Sequence, residues 1–323
     1  MVRLSLSIAL AAVLGAARPA TAQDVVRLGN LKFAHYGAVS YMKQACGKFG
    51  LQVQEIVFPK GIDIFPAIVK GEVDLAASAA DAAIANRAGG GQVYVVAGFA
   101  KGGARLVAAT GSNIKTVAEL KGKRVGVARG GAQELLLLAE LSKAGLTWAD
   151  RPGKDVQIVY LPFADLNQAL MQKQVDAMCQ SEPQSSQAIN KGYGREVLKP
   201  YDTPLGEPVR VLVMTEKLYR ERPQVAQKVL DCFVDATRHF IQNPKVAERY
   251  VVDQMFKGQI TADDYSDAMS NAAFTYDVTP EHIQVTTDLM AKYGVGKMAK
   301  PPVAKDWVRL ELLGEAKKKL GVN

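Results

Sequence analysis

The chain has 323 residues, 48% of them hydrophobic, which is enough for two domains of ordinary size with sizeable cores. Its formal net charge is +8, but the lysines and arginines are scattered, and the dense run at residues 317–319 is more typical of a solvated helix end than of a nucleic-acid site. Cys46, Cys179 and Cys232 have no paired spacing, so a disulfide framework is excluded, and whether Cys46 pairs with Cys232 stays open.

The first 22 residues follow the plan of a secretory signal peptide. Arg3 precedes an apolar run over residues 4–14, and small residues end in Ala20-Thr21-Ala22 before Gln23. The apolar run is too short to span a bilayer. Cleavage is expected after Ala22, which predicts an exported, soluble protein of the periplasm.

A β-α-β-α pattern then occurs twice. Val73-Asp74 in the first copy aligns with Val175-Asp176 in the second, and in both copies a β-rich run precedes a helix, an apolar strand and a second helix. This repeat predicts an α/β fold with two similar lobes, each built on a mostly parallel sheet. Two unrelated αβ units with a chance match are the alternative.

Ligands of such sheets bind beyond the carboxyl ends of the strands. In the first copy this place is Ser78-Ala79, where Ser78 and Asp81 have the spacing of a helix capping box. In the second copy it is Glu182, which precedes Pro183.

The first strand of each copy also ends in a candidate loop. The strand predicted over residues 25–32 leads to His35-Tyr36, and the strand predicted over residues 125–128 leads to Gly130-Gly131-Ala132-Gln133. Free backbone N–H groups and the helix dipole favour an anion at such positions. A plain tight turn at the glycines and a solvated His35 are the alternatives.

Between the repeats, apolar runs predict strands over residues 92–99 and 105–110, and a further strand follows over residues 208–214. A chain that leaves lobe one near Thr110 and re-enters it near Val209 crosses twice between the lobes, as in a hinge. Two sequential domains with a helical cap would give the same pattern. The rest of the chain predicts an all-helical tail with helices over residues 225–242, 246–256, 262–271, 281–293 and 304–320.

Catalytic motifs are absent from the sequence. It has no nucleotide-binding glycine motif, no Gly-x-Ser-x-Gly elbow and no His-Glu-x-x-His helix. His35, His239 and His282 are far apart, and none has a second metal ligand at suitable spacing. The sequence thus predicts a receptor for a small molecule, without cofactor or metal.

Several segments resemble those of a known family. The segments are Gly71-Glu72-Val73-Asp74-Leu75, residues 115–127 (KTVAELKGKRVGV), Ala144-Gly145-Leu146, and Gln174-Val175-Asp176-Ala177 with Glu182-Pro183. They resemble the periplasmic substrate-binding proteins of ABC importers of the nitrate, sulfonate and taurine type, with the related thiamine-precursor-binding group. The resemblance implies a type II Venus-flytrap fold with two hinge crossings, in which residues 24–108 and 208–323 form lobe one and residues 109–207 form lobe two.

The resemblance also implies where the ligand binds and which proteins are the partners. An ABC permease and its ATPase would be the partners of a monomeric, non-enzymatic binding protein. Ligand would lie between the lobes against the loops described above, which contain His35, Tyr36, Ser78, Ala79, Phe99, Gly130, Gly131, Ala132, Gln133, Phe163 and Glu182. Phe99 and Phe163 also fit a role in the core. Many relatives carry an aromatic residue just before the Glu-Pro pair, where this chain has Gln180-Ser181.

The sequence is compatible with more than one class of ligand. Two helix N-termini, with Arg105 or Arg129, favour an organic anion such as a sulfonate or carboxylate. Glu182 would repel a pure anion and favours a taurine-like zwitterion or a pyrimidine precursor. An enzyme similar to pyrimidine-precursor synthases and a sensor subunit that serves a membrane kinase are the rival functions.

Overall fold

The computed structural model describes residues 23–322, and the expected signal peptide lies outside them. The described strands form two six-stranded sheets. Sheet one contains β1 (Asp24–Asn30), β2 (Leu51–Val57), β3 (Leu75–Ala79), β4 (Val93–Gly102), β11 (Val209–Thr215) and β12 (Ala272–Phe274). Sheet two contains β5 (Ala104–Ala109), β6 (Lys123–Val127), β7 (Trp148–Ala149), β8 (Val156–Tyr160), β9 (Ala177–Ser181) and β10 (Gly194–Leu198).

Both sheets combine a parallel and an antiparallel part. Their strand orders are β12-β4-β11-β3-β1-β2 and β10-β5-β9-β6-β8-β7. The strands β1, β2 and β3 are parallel, as are β6, β8 and β9, whereas β11 runs against β3 and β4, and β5 runs against β9 and β10. The two-lobe α/β architecture is confirmed, but the sheets are mixed where they were expected to be mostly parallel. The strands that carry the chain between the sheets run against their neighbours.

The internal repeat is a structural repeat. Asp74, just before β3, accepts a hydrogen bond of 2.9 Å from the backbone N–H of Arg27 on β1. Asp176, just before β9, accepts the equivalent bond of 2.8 Å from the backbone N–H of Arg124 on β6. The repeated aspartates therefore fasten equivalent strands in the two sheets.

Helices cover the faces of both sheets. They are α1 (Gly37–Ala45), α2 (Ile64–Val69), α3 (Ala80–Ala88), α4 (Ala132–Lys143), α5 (Phe163–Met171), α6 (Gln184–Asn190), α7 (Glu216–Glu221), α8 (Pro223–Gln242), α9 (Pro244–Arg249), α10 (Ala262–Met269), α11 (Pro280–Tyr293) and α12 (Glu311–Leu320). Pro223 begins α8 at a position where its missing N–H costs no hydrogen bond. The apolar face of α8 packs against α1 and α12, so the tail covers sheet one.

The C-terminal tail differs from its prediction in three places. It contains the short strand β12, so it is not all helical. The helix predicted over residues 246–256 ends at Arg249 and continues as a π-helical turn, Tyr250–Met255. The helix predicted over residues 304–320 begins only at Glu311, because Val308 forms a bridge with Val95 of β4 and the adjoining backbone bonds to that strand.

The burial pattern distinguishes the central strands from an edge strand. All residues of β3 are buried, and β11 is buried up to its last residue, whereas edge strand β2 begins with alternating buried and exposed positions. A disulfide joins Cys46, after α1, to Cys232 in α8, which answers the question that the sequence left open. Cys179 of β9 is free and buried.

The chain changes sheets twice. It passes from β4 to β5 through Gly102 and Gly103, and it returns over residues 199–208. Residues 104–108 therefore pair in sheet two, although the expected boundary of lobe one was 108. The division into lobes that move as separate bodies stays a prediction. Among residues 23–322, no helix has the length and apolarity needed to cross a bilayer.

Candidate functional site

The carboxyl ends of the parallel strands of both sheets meet where the two lobes contact each other, a region that we call the seam. β1 is followed by a 3-10 turn, Ala34–Tyr36, and the Ala34 N–H donates a 3.3 Å hydrogen bond to the backbone oxygen of Glu182, which follows β9. The loop after β1 in lobe one thus contacts the loop after β9 in lobe two. This confirms the expected proximity of two of the predicted loops.

Four side chains form a buried polar cluster at the seam: His35, Tyr36, Asp81 and Arg210. His35 is 0% exposed, and Asp81 and Arg210 are each 2% exposed. Both ring nitrogens of His35, both carboxylate oxygens of Asp81 and both terminal nitrogens of Arg210 make no hydrogen bond of normal geometry among the described residues, although Arg210 lies close enough to the Tyr36 hydroxyl to act on its pKa. Buried polar groups in proteins are nearly always paired, and an unpaired buried charge is costly. The cluster is therefore equipped to bind a polar ligand.

The cluster offers one permanent positive charge. Burial and the charge of Arg210 hold the pKa of His35 well below its usual value, so the imidazole is neutral and has one donor and one acceptor nitrogen. Burial raises the pKa of Tyr36, which keeps its hydroxyl protonated. Burial also raises the pKa of Asp81 to about 7, against the opposing influence of Arg210. An anionic group is the natural partner of this set because Arg210 supplies its fixed charge.

The backbone holds these side chains in place. Arg210 lies on β11 between Ala79 of β3 and Ala100 of β4, in a strand that is otherwise apolar. Gly103 at the first crossing has φ +77°, and a Cβ there would lie 2.6 Å from the His35 ring. Glycine is therefore required for both its backbone conformation and the close approach of the imidazole.

Sequence reasoning missed Arg210. Its one signal was a charged residue within Pro208-Val209-Arg210-Val211-Leu212, a run that otherwise predicts a buried strand. A charged side chain is seldom fully buried without a partner, so its presence there pointed to a special role.

Most of the predicted site residues lie at or near the seam. Those that are buried are His35, Tyr36, Ser78, Ala79, Phe99, Ala132, Gln133 and Glu182, and those that are partly buried are Gly130, Gly131 and Phe163. The ring centroid of Tyr36 lies 5.0 Å from that of His35 and 4.7 Å from that of Phe99. Phe163 of lobe two contacts Phe33 of lobe one edge to face, with their centroids 5.2 Å apart. A role in ligand binding stays a prediction for each of them.

One local prediction at a helix N-terminus was wrong, and another loses one of its donors. The capping box at Ser78 and Asp81 does not form, because the hydroxyl of Ser78 donates to the Ala79 oxygen and α3 has no side-chain cap. The N–H of Gly130 is not free for an anion, since it donates a 2.7 Å hydrogen bond to the carboxylate of Glu134. The Gly130 N–H is therefore taken by the first turn of its own helix, and an anion site at Gly131 stays a prediction.

The predicted acid Glu182 is already paired. Its Oε1 lies 2.8 Å from Nε of Arg105 and accepts a 3.0 Å hydrogen bond from Asn271, while its Oε2 accepts a 2.7 Å bond from the hydroxyl of Ser186. Arg105 is thereby occupied as well. Arg129 lies at the surface, with its guanidinium carbon 3.7 Å from the ring centroid of Tyr160. Neither arginine proposed from sequence matches Arg210 as a buried cation with unpaired nitrogens.

Two cavities lie near the seam, a small one in the interior and a larger groove at the surface. A cavity of about 10 Å3 lies between Asp81 and the apolar surface of α4. A groove of about 450 Å3 opens outward, lined by Lys32, Phe33, Phe58, Phe163 and Phe256 among others. The described residues contain no group of three or more His, Cys, Asp or Glu side chains that could hold a metal ion.

A third concavity, of about 830 Å3, lies on the far side of sheet one. Its principal charges are satisfied, because Arg27 pairs with Asp74 and Arg222 pairs with Asp24. It is also remote from the carboxyl ends of the strands, where ligands of such sheets bind. The unpaired polar groups of the seam therefore make it a better candidate for the ligand site than this larger concavity.

The fold is shared with several solved structures. The alkanesulfonate-binding protein SsuA from Xanthomonas axonopodis pv. citri bound to MOPS matches with a TM-score of 0.75 at 18% identity, over 90% of this chain and 100% of that one. The periplasmic aliphatic sulphonate binding protein SsuA from Escherichia coli matches with a TM-score of 0.74 at 22% identity, over 88% and 92%. The periplasmic nitrate-binding protein NrtA from Synechocystis PCC 6803 matches with a TM-score of 0.77 at 15% identity, over 93% and 90%. At these identities the likeness shows the type II two-lobe fold.

Sequence comparison adds the family. A curated Escherichia coli (strain K12) protein described as an aliphatic sulfonates-binding protein is 36% identical over 150 residues, which are 46% of this chain and 45% of that relative. The alignment thus spans less than half the length of the curated relative. The model of the NMT1-like family matches residues 20–272, most of the chain. The protein therefore belongs to the NMT1-like family.

Proposed function

We propose that the protein is an extracytoplasmic solute-binding protein that captures a small organic anion, a sulfonate or a carboxylate, at the seam between its lobes and delivers it to an ABC import permease. The observation that carries the proposal is Arg210, a buried arginine whose terminal nitrogens have no partner among the described residues. Hydrogen bonds between a guanidinium and an oxyanion are charge-assisted and often bidentate, so a sulfonate or carboxylate suits this cation.

The surroundings of Arg210 suit an organic anion better than a bare inorganic ion. The charge of Arg210 acts on both His35 and Tyr36, and the His35 ring stacks with Phe33, which together with Phe163 lines the outer groove. Binding sites for small molecules combine apolar walls with a few well-placed polar groups. The organic part of the ligand would extend toward this groove while the anionic group reaches Arg210.

Export and delivery rest on other observations. The disulfide between Cys46 and Cys232 suits an oxidising compartment such as the periplasm. The similar proteins named above are described as sulfonate-binding or nitrate-binding proteins, and two of them as periplasmic. We expect a monomer that transfers its ligand to a permease and ATPase complex.

We expect binding without conversion of the ligand. Cys179, the free thiol, is fully buried, and burial raises the pKa of that thiol, so little reactive thiolate forms. The carboxyl of Glu182 is committed to Arg105 and Asn271. Neither the Cys179 thiol nor the Glu182 carboxyl supports the alternative function of a pyrimidine-precursor synthase.

Isothermal titration calorimetry with ethanesulfonate, propionate and nitrate tests the proposal. Wild-type protein should bind at least one of the two organic anions, and Arg210→Gln should weaken that binding at least tenfold, as expected for the loss of about 1.5 to 3 kcal/mol from a charge-assisted pair. The melting temperature of unliganded Arg210→Gln should not fall, because the change removes a buried charge that has no partner. Arg129→Gln is the matched control and should leave affinity unchanged. Loss of binding in Arg129→Gln, with full binding in Arg210→Gln, would overturn the assignment.

A further inference from the structure

We infer that the ligand carries a hydrogen-bond donor, a hydroxyl or an amine, close to its anionic group, and that Asp81 selects ligands by this donor. The inference rests on the proposed function, since it concerns the same site. It begins with an acidic side chain in a place that should repel the anion which Arg210 attracts.

Asp81 differs from Asp231 and Glu134, two other buried acids, in having no hydrogen-bond partner. Asp231 is equally buried, but it lies 2.5 Å from Nζ of Lys319 and accepts a 2.9 Å hydrogen bond from Gln227. Glu134 accepts bonds from Tyr160 and from the Gly130 N–H. Neither oxygen of Asp81 has such a partner among the described residues, although the nearby backbone N–H groups of Asp81 and Ala82 act against the rise of its pKa. A buried carboxylate of this kind acts as an acceptor for a group that the described chain does not supply.

Arg210 does not fill that need. Its terminal nitrogens are themselves unpaired, so the two side chains are not joined by a hydrogen bond, although the charge of Arg210 acts on Asp81. Two buried groups of opposite charge that both lack hydrogen bonds are unfavourable. A ligand with an oxyanion for Arg210 and an adjacent donor for Asp81 would pair both groups at once.

The space beside Asp81 suits a donor of small size. The cavity that Asp81 lines has a volume of about 10 Å3, and its other walls include the side chains of Ala132, Leu135 and Val209. A cavity of this volume holds about one water-sized group, which is also the size of a hydroxyl or an ammonium group. The imidazole of His282 lines the same cavity, and its Nε2 has no partner among the described residues, so it offers the donor a second acceptor in its suitable tautomer.

The charged groups of the site and His35 all come from sheet one or from the segments that directly follow its strands. Asp81 lies in the first turn of α3, Arg210 lies on β11, and His35 follows β1, whereas lobe two contributes Ala132 and Leu135 of α4. Lobe one would therefore recognise the ligand's polar groups, and lobe two would cover them with an apolar surface. Such a cover strengthens the hydrogen bonds to Asp81, because it removes water from around them.

Calorimetric titration with two matched series tests the inference. The sulfonates are ethanesulfonate, 2-hydroxyethanesulfonate and 2-aminoethanesulfonate, and the carboxylates are propionate, 3-hydroxypropionate and 3-aminopropionate. In at least one series wild-type protein should bind the hydroxyl or the amine compound at least tenfold more tightly than the plain anion. Asp81→Asn should reduce that preference at least tenfold, with the affinity for the plain anion unchanged or increased. Asp231→Asn, a change in an equally buried acid far from the seam, should keep the preference.

The outcomes separate the two proposals. If plain and donor-bearing anions bind with equal affinity, or if Asp81→Asn keeps the preference, the role of Asp81 is overturned while the anion site at Arg210 stands. If none of the six compounds binds to wild-type protein, the proposed function itself is contradicted, and the role of Asp81 with it. Should Asp81→Asn fold poorly by circular dichroism, Asp81→Ser provides the same comparison, and the hydroxyl and amine compounds show which donor the site prefers.

Discussion

Arg105 of β5 and Asp267 of α10 join the two lobes by a direct ion pair. Nη1 of Arg105 lies 2.9 Å from Oδ2 of Asp267, and its Nη2 donates a 2.9 Å hydrogen bond to the backbone oxygen of the same residue. Glu182 holds the other side of the Arg105 guanidinium and also bonds to Asn271, which precedes β12 of sheet one. We call Arg105, Glu182, Asp267 and Asn271 the latch, because they connect sheet two to the tail that covers sheet one.

The latch should favour the closed arrangement of the lobes. Asp267→Asn removes a charge from it, and since Asp267 is about one-third exposed, the expected loss is about 1 kcal/mol, or roughly fivefold in the equilibrium constant between the closed and the open arrangement. Affinity for every ligand should fall by up to that factor, because ligand binds between the lobes. Small-angle scattering should show a larger radius of gyration for the unliganded variant.

Asp235→Asn is the control for the latch. Asp235 pairs with Lys48 and Arg238 on the outside of lobe one, so its loss should change neither the radius nor the affinity. If Asp267→Asn behaves like this control, the ion pair has no part in closure.

The buried carboxyl of Asp81 should make stability depend on pH. Its pKa in the folded protein is about 7, above the value of 3.8 that it has when exposed, so between about pH 4 and pH 7 the folded state holds more protons than the unfolded state. The free energy of unfolding should therefore fall by a few kcal/mol as the pH rises through this window. His35 acts in the opposite sense, because its lowered pKa costs stability as the pH falls below about 6.5.

A pair of variants isolates the contribution of Asp81. Urea denaturation at pH 5 and pH 8 should show that Asp81→Asn gains stability relative to wild type at pH 8 and much less at pH 5. Ser78→Ala, which alters a buried neighbour without an ionisable group, should differ from wild type by the same amount at both pH values. A gain for Asp81→Asn that does not change with pH would mean that the carboxyl does not titrate in this range.

The sequence alone predicts the fold because the relevant signals are local and periodic. Val73-Asp74 and Val175-Asp176 mark equivalent strands, and the strand and helix patterns around them hold in the structure. Prediction failed where a distant segment overrides the local pattern. Trp307 and Val308 interrupt an apparently continuous helix because Val95 of β4, more than 200 residues earlier, accepts them as a strand partner.

The site is less predictable than the fold because its chemistry depends on pairing. Glu182 and Asp81 look alike in sequence, as acids near the carboxyl ends of equivalent strands, yet only Glu182 has an arginine and an asparagine within reach. Arg210 lies inside an apolar strand, where the pattern predicts core. Which buried charge is left unpaired follows from three-dimensional contacts that no spacing in the chain reveals.

The disulfide between Cys46 and Cys232 should stabilise lobe one without affecting the site. The two residues are 186 positions apart, so the bond closes a long loop and restricts the unfolded chain strongly. Replacing both cysteines by alanine should lower the free energy of unfolding by about 2 to 5 kcal/mol. Ligand affinity should stay within twofold, because the bond joins α1 to α8, and neither residue belongs to the seam. Thermal unfolding followed by circular dichroism measures the loss, and dithiothreitol should destabilise wild type but not the double variant.

Cys179→Ala is the matched control for this prediction. Cys179 is a free, buried thiol on β9, so its replacement removes one sulfur from the core of lobe two without opening a loop. The free energy of unfolding should fall by only about 1 kcal/mol, and the variant should remain sensitive to dithiothreitol. A wild-type melting temperature that dithiothreitol leaves unchanged, under conditions where free-thiol titration shows full reduction, would mean that the long loop is already ordered by packing of α1 against α8. In that case the loss in the double alanine variant would have to come from the two cavities alone.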